Sequence, residues 1–318
     1  MAFDRSDYLV RESSNPIITP DDFPGTEVSA VFNPGVTKKG DTYYMIARVE
    51  DATAQSRHFL LTSKDGLDWD IEHEVMKLEE QPLQEYHKFA CDPRICPVED
   101  TYYVTYCLGC DYGNTTVLQR TDDFHTYESL DIICEPNNRN IVLFPRKING
   151  KYWRISRPFG HPTYNPSGMW VASSPDLMHW GYPRALMMPR TFVSGWDGFK
   201  LGASVPPIET EEGWLIIYHG VTKNCNNYIY RDSVALLDLE DPSQIISRPT
   251  EFLLGPKEDY ERHGDVPNVC FASGAVVEDD DEIKVYYGAA DTYVAVAHTS
   301  KEKLLDFVAM DLKNGKYP

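Results

Sequence analysis

The chain has 318 residues, 42% hydrophobic and 25% charged, the balance of a soluble globular protein with a sizeable core. Its 30 Lys and Arg face 49 Asp and Glu, a formal charge of −19, which argues against nucleic acid or an anionic membrane as the main partner. No apolar run is long enough to span a bilayer.

The N-terminal stretch "MAFDRSDYLVRESSNP" is charged and lacks an apolar core of signal-peptide length, so a cytoplasmic location is expected. Beyond it, one pattern recurs along the chain. "VFNPGVTKKGDTYYMIARV" is an apolar stretch, a Gly- and acid-rich turn and an aromatic-rich alternating stretch, the signature of a β-hairpin. "LLTSKDGLDWD" follows it as a strand, a polar turn and a further short strand. The pair returns as "ACDPRICPVEDTYYVTYC" with "LQRTDDFHTYE", and as "IVLFPRKINGKYWRISRP" with "WVASSPDLMHWG". It returns again, more loosely, as "GASVPPIETEEGWLIIYHG" with "VALLDLEDPSQIISRP", and as "CFASGAVVEDDDEIKVYYGA" with "VAVAHTSKEKLLDF". Two hairpins make about four strands, and four strands make a propeller blade. Five copies with no linker between them predict an all-β chain, a single five-bladed β-propeller domain over residues 1–318. A two-sheet sandwich would not need five copies of one double hairpin.

The repeat also predicts what faces the axis. Five residues past the turn positions Tyr43, Tyr102, Tyr152, Trp214 and, in the last copy, Ile283 stand Arg48, Cys107, Arg157, His219 and Gly288, expected at a similar height near the axis. Asn33 and Asp92 occupy equivalent points of the first two copies, each followed by Pro, while Lys200 precedes the fourth copy and Asp291 follows the last. The expected site is a central funnel with carboxylates and a cluster of cations at one mouth. Such cations suit a small oxyanion, phosphate or carboxylate, or else neutralise channel acids. "NRNIVLFPRKINGKYWRISRP" alone carries Arg139, Arg146, Lys147, Lys151, Arg154 and Arg157, of which Lys151 and at least one other are expected to decorate its turn. The seven Cys are irregularly spaced, and the lone CxxC of Cys107 and Cys110 has no second pair, so buried free thiols are expected rather than a metal site. No nucleotide loop, HExxH or GxSxG motif is present. Carboxylates and aromatics suggest a sugar substrate. If phosphate attacks the anomeric carbon, no protein base is required: one carboxylic acid and a cationic cradle suffice.

Taken together, "VFNPGV", "CDPRICPVEDTYYVTYC", "NRNIVLFPRKINGKY", "ASSPDLMHWG", "GWLIIYHGV", "ALLDLEDP", "GDVPNVCF" and "YYGAADT" resemble glycoside hydrolase family 130, the inverting β-mannoside phosphorylases and related β-mannosidases. The resemblance implies a five-bladed propeller in which Asp92 is the general acid, its proton passing through the 3-hydroxyl of the bound mannose. It implies phosphate binding by Arg139, Asn140, Arg157, Lys200 and His219. It further implies mannose contacts from Asn33, Arg48, Arg94 and Asp291, with His161 and Phe271 shaping the acceptor side. The reaction implied is phosphorolysis of a β-mannoside disaccharide or oligosaccharide to α-mannose 1-phosphate. Inorganic phosphate is then a co-substrate, no cofactor or metal is required, and a homo-oligomer is compatible with the pattern. The rivals are an inverting β-mannosidase and a non-catalytic sugar-binding propeller. Linkage and acceptor stay open: "NRNIVLFPRKINGKY" and "GVTKNCNNYIY" look most like mannosyl-glucose phosphorylases, whereas "VFNPGVTKKGDTYYMIARVED" looks closer to the mannooligosaccharide enzymes.

Overall fold

The structure, a computed structural model, describes residues 4–23, 27–76, 88–160, 167–190, 195–225 and 227–313. After a two-residue strand, β1 (Val10–Arg11), the chain builds five antiparallel sheets in sequence. Blade 1 is β2 (Val28–Lys39), β3 (Thr42–Asp51), β4 (Ser56–Ser63) and β5 (Asp70–Met76). Blade 2 is β6 (Phe89–Val98), β7 (Thr101–Cys110), β8 (Gly113–Thr121) and β9 (Glu128–Ile132). Blade 3 is β10 (Asn138–Leu143), β11 (Tyr152–Pro158), β12 (Met169–Ser174) and β13 (Gly181–Met187). In blade 4 the inner strand is broken into β14 (Lys200–Ala203) and β15 (Ile208–Glu209), which both pair with β16 (Trp214–Lys223); β17 (Tyr228–Leu237) and β18 (Ile245–Ser247) complete it. A one-turn helix, α1 (Asp259–Arg262), precedes blade 5, which holds β19 (Cys270–Val277), β20 (Glu282–Ala289) and β21 (Tyr293–Ser300).

The expected five-bladed propeller is therefore the fold, with one difference in its last blade. "VAVAHTSKEKLLDF" reads as strand, turn, strand, but its second half is helical: α2 (Lys301–Lys313) directly follows β21. Leu304, Phe307 and Val308 explain this, because their spacing places three buried side chains on one helical face, packed in the cluster between blades 4 and 5. The missing fourth strand comes from the other end of the chain. β1 pairs antiparallel with β21, Val10 opposite His298 and Arg11 opposite Ala297, so the N-terminal segment closes the ring.

The described core divides by blade. One apolar cluster fills each of the five blade–blade interfaces, such as Ile46, Leu60 and Met76 of blade 1 against Val104, Tyr106 and Leu108 of blade 2. The turns of the outer hairpins are chemically the same device three times. Asp65, Asp123 and Asp176 each accept two backbone N–H groups two and three residues ahead, and Ser63 and Thr121 accept the N–H of Gly66 and Phe124. Those are Asx-type turns, which fix the hairpin geometry locally and leave the strands to pack.

The inner strands position the site. In β2, β6 and β10 the register slips by one residue against the neighbouring strand, between Phe32 and Gly35, Cys91 and Arg94, and Arg139 and Val142. Each slip is a β-bulge whose first inserted residue has left-handed backbone: Asn33 at φ 48°, Asp92 at 51° and Asn140 at 56°. Asn and Asp tolerate that conformation best among residues with a Cβ. Pro34 and Pro93 follow the first two, where no ladder N–H is called for. The bulge re-aims these three polar side chains at the axis.

Candidate active site

The bulge residues and their neighbours line a cavity of about 350 Å³ at one mouth of the axial channel. Its wall includes Asn33, Arg48, Asp92, Arg139, Asn140, Arg157, Lys200, His219, Phe271 and Asp291, ten of the twelve side chains singled out from sequence. The five positions with a shared register do share one, but a strand further out than expected. Arg48, Cys107, Arg157, His219 and Gly288 lie on the second strand of each blade, opposite Phe32, Cys91, Arg139, Gly202 and Phe271. Long side chains reach the cavity past the inner strand. At Gly288 the reverse is needed, since a Cβ there would meet Asn33 Oδ1 at 2.0 Å.

Asp92 is the most constrained carboxylate of the cavity. Its Oδ1 accepts from Asn33 Nδ2 at 3.0 Å and from Arg48 Nη1 at 3.0 Å, and its Oδ2 accepts from Arg139 Nη2 at 3.1 Å. Burial raises its pKa, but Arg48, Arg139, Arg94 and the Asn33 amide outweigh burial and hold it well below the usual carboxylate range. Asp291 is the contrast. Burial and then the charge of Asp92 push it up to about 7, so the cavity holds two carboxyls of unlike proton affinity.

Besides Arg139, which pairs with Asp92, the cavity holds two cations, Arg157 and Lys200, with no carboxylate in ion-pair contact among the described residues. Arg139 pairs directly with Arg157 across β10 and β11, so the hairpin of the Arg-rich segment does bring its two ends together. Arg157 is 3% exposed, its Nε has no partner among the described residues, and burial and Arg139 push it down to about 9. Lys200 sits over the rings of Tyr228 and Tyr230 and is pushed down to about 7, first by burial and then by Arg157 and Arg139. His219 is fully buried and held neutral, with Phe271 against its ring. Like charges this close are costly to bury without a counter-ion, which makes the cluster a ready site for an anion. The rest of the Arg-rich segment serves structure. Arg146 pairs with Glu209 and Lys147 with Glu99, Lys151 is exposed, and buried Arg154 packs on Trp180.

Two sequence expectations need separate statements. Arg94 does not line the cavity. It lies beneath it, 1% exposed, donating from Nε to the Ser204 carbonyl at 2.6 Å and from Nη1 to the Asp92 carbonyl at 2.8 Å. Its charge is spent on holding the bulge, a role that burial behind Asp92 dictates. His161 lies outside the described residues. Sequence reading missed Tyr230, Phe89, Cys91 and Val269, which also line the cavity. Tyr230 alternates with Tyr228 in "NNYIY", a signal that could have been followed along the third strand of blade 4. Among the thiols, Cys91 and Cys107 face each other beside Arg139, and Cys225 is exposed rather than buried. Among the described residues no group of three or more His, Cys, Asp or Glu side chains is placed to hold a metal ion. A larger cleft at the opposite ends of the strands is lined by Glu209, Glu211, Glu212, Asp280, Asp281 and Glu282, the wrong sign for an anion.

An anion on the cluster will raise the pKa of Lys200 again. With no anion bound the group is largely neutral above about 7. Binding of a phosphate dianion at pH ~8 is therefore expected to take up protons, up to about one per site. Calorimetry in buffers of differing ionisation enthalpy reads that number. Lys200→Arg, charged throughout, should lower it; uptake unchanged in that variant would remove Lys200 as the source.

Comparison with known proteins adds the following. A protein-family model described as beta-1,4-mannooligosaccharide phosphorylase matches residues 4–310. The beta-1,4-mannooligosaccharide phosphorylase of Ruminococcus albus is 38% identical over 316 residues, covering 96% of this chain and 92% of that protein. A beta-1,2-mannobiose phosphorylase of Thermoanaerobacter is 35% identical over 317 residues, covering 93% of this chain and 98% of its own length. Among solved structures, the beta-1,2-mannobiose phosphorylase of Listeria innocua in complex with beta-1,2-mannobiose superposes with a TM-score of 0.84 at 30% identity, covering 94% of this chain and 99% of that one.

Proposed function

The chain belongs to glycoside hydrolase family 130 and is a mannoside phosphorylase, and we propose that it cleaves a β-1,4-linked mannoside by direct attack of phosphate, with Asp92 as the acid and Arg139, Asn140, Arg157, Lys200 and His219 as the phosphate cradle. The observation that carries the assignment of roles is the position of Arg139. It donates to Asp92 and pairs in register with Arg157, so acid and anion cradle share one guanidinium.

A single displacement on a β-linked sugar inverts the anomeric carbon and gives α-mannose 1-phosphate with a shortened acceptor. The attacking group is already an anion, so the protein need only orient it and neutralise its charge. In this reading Asn33, Arg48 and Asp291, which line the same cavity, hold the mannose, and Phe271 shapes the acceptor side. With no phosphate bound Asp92 is anionic. A phosphate on the cradle offsets the field of Arg139 and of its neighbours, raises the proton affinity of Asp92, and lets it deliver a proton to the departing oxygen, by way of the mannose 3-hydroxyl. The β-1,4 linkage is favoured by the family description and by the Ruminococcus relative, whose identity exceeds that of the β-1,2-specific one.

Product analysis tests the reading. With phosphate, a β-1,4-mannooligosaccharide should yield α-mannose 1-phosphate; without it, cleavage should stop. Equal release of free mannose in phosphate-free buffer would make the enzyme a hydrolase. A panel of acceptors run in the synthetic direction from α-mannose 1-phosphate reports linkage.

A further inference from the structure

Behind the cavity wall two polar side chains that no step above uses, Ser204 and Asp232, form a buried row with His219. Ser204 lies in the break between β14 and β15 and is fully buried. Its Oγ is 2.8 Å from Asp232 Oδ1 and 3.3 Å from His219 Nδ1. Asp232, on β17, is 2% exposed, and its Oδ2 accepts the Ala272 N–H at 3.1 Å. The far ring nitrogen, His219 Nε2, lies 3.3 Å from Asn140 Nδ2. A fully buried Ser204 is no nucleophile, so the row resembles a catalytic triad in composition only.

Resting on the reading of His219 as a phosphate contact, we propose that Asp232 and Ser204 are positioning residues that fix the ring tautomer of His219, so that Nε2 meets the anion as an acceptor and the site selects a tetrahedral oxyanion that still carries a proton. The argument is a count of protons. A serine hydroxyl has one to give, and an ionised carboxylate can only accept it. With that proton on Asp232's side, the Ser204 oxygen can only accept from the ring, and Nδ1 must be the protonated nitrogen. The ring cannot hold a second proton, because burial, then Arg157, Arg94, Lys200 and Arg139, disfavour the imidazolium. Nε2 is therefore a lone pair, matched in this structure by the Asn140 amide. A hydrogen phosphate dianion can turn its P–OH towards that lone pair. Sulfate has no proton to offer near neutral pH and meets it lone pair to lone pair.

Protonation of Asp232 reverses every donor in the row. The carboxyl O–H is then given to Ser204, Ser204 gives its proton to Nδ1, and Nε2–H points at the cavity, with the Asn140 amide turned so that its Nδ2 no longer faces the ring. Burial pushes Asp232 up to about 7 against the pull of Ser204, the Ala272 N–H and Arg94, so the two arrangements exchange in an accessible pH range. The charged and titratable groups facing the row are Arg94 of β6, Arg139 of β10, Arg157 of β11, Lys200 of β14, Tyr230 of β17 and Cys270 of β19.

The test uses sulfate as a competitor of phosphate in the phosphorolysis assay between pH ~6 and ~8.5. In the wild type the ratio of the sulfate inhibition constant to the phosphate KM should rise about tenfold or more across that range, the scale of one hydrogen bond to a charged group. Asp232→Asn places an amide N–H on Ser204 while its oxygen keeps the Ala272 N–H, which locks Nε2–H towards the cavity. That variant should bind sulfate tightly throughout. Lys200 and phosphate itself also titrate here, so the deciding quantity is the difference between the two profiles, in which both are common. An Asp232→Asn enzyme with the wild-type ratio and profile overturns the proposal. If that variant does not fold, Ser204→Ala decides: loss of its share of the pH dependence supports the row, and a wild-type profile overturns it. Cleavage that needs no phosphate would instead remove the phosphate role of His219 on which the row depends.

Discussion

Asp92→Asn is expected to lower turnover by about 10²–10⁴-fold at saturating phosphate, the usual worth of a positioned general acid. The substitution keeps the shape of the side chain and removes the proton it delivers. It also breaks an arrangement of acceptors. Asp92 takes three hydrogen bonds, from Asn33, Arg48 and Arg139, whereas an amide offers one oxygen and an NH₂ that must face one of those donors. Some loss will therefore appear in sugar binding, through displacement of Arg48 or Asn33. The two effects separate by substrate: an activated mannoside with a good leaving group, which needs no acid, should recover most of the turnover but not the binding. Folding is checked by the thermal midpoint. Near-normal turnover on an unactivated mannooligosaccharide would take Asp92 out of the role of acid.

What was legible in the sequence follows from the range of the interactions involved. Hairpin strands and turns are local. The alternation in "TYYMIARV" and the acidic turn of "SKDG" each specify their own geometry, so five copies could be counted without a structure. The ring closure is not local. β1 is two residues long and acquires its meaning from β21, nearly 290 positions away by its pairing of Val10 with His298, and nothing in "LVRES" announces it. The helical end of the fifth copy was misread because the pattern of earlier copies was extended over Leu304, Phe307 and Val308, whose own spacing is helical. The bulges at Asn33 and Asp92 left a visible trace, Asn-Pro and Asp-Pro, whereas the one at Asn140 left none, and the effect of all three on direction required coordinates. Arg94 shows the limit most clearly. Two residues from Asp92 on one strand it reads as a partner in the same site, yet it points beneath the cavity and bonds to carbonyls. Asp232, on β17, and Ser204, just past the end of β14, are 28 residues apart and meet only because β14 and β17 flank β16.

Arg157→Ala is expected to raise the KM for phosphate about 10- to 150-fold at pH ~7, and to raise that for the mannoside far less. Losing one hydrogen bond to a charged group costs roughly 1.5–3 kcal/mol, and Arg157 is a buried donor that among the described residues has no carboxylate in ion-pair contact to release in exchange. A second effect opposes the first. Arg157 is the largest charge acting against Lys200 after burial, so its removal lets Lys200 hold its proton at higher pH. In the wild type above about pH 7, phosphate must recharge Lys200 as it binds, at about 1.4 kcal/mol per pH unit. The variant is spared part of that cost. The sign is therefore fixed: the penalty of Arg157→Ala should shrink as pH rises from ~7 to ~8.5, although the hydrogen bond lost is the same. Part of the loss will also fall on kcat, since the same contact orients the attacking oxygen. Steady-state kinetics with each substrate varied at two pH values decide the matter. An equal rise in KM for both substrates, or a penalty that grows with pH, would mean that Arg157 supports the cavity as a whole instead of holding the phosphate.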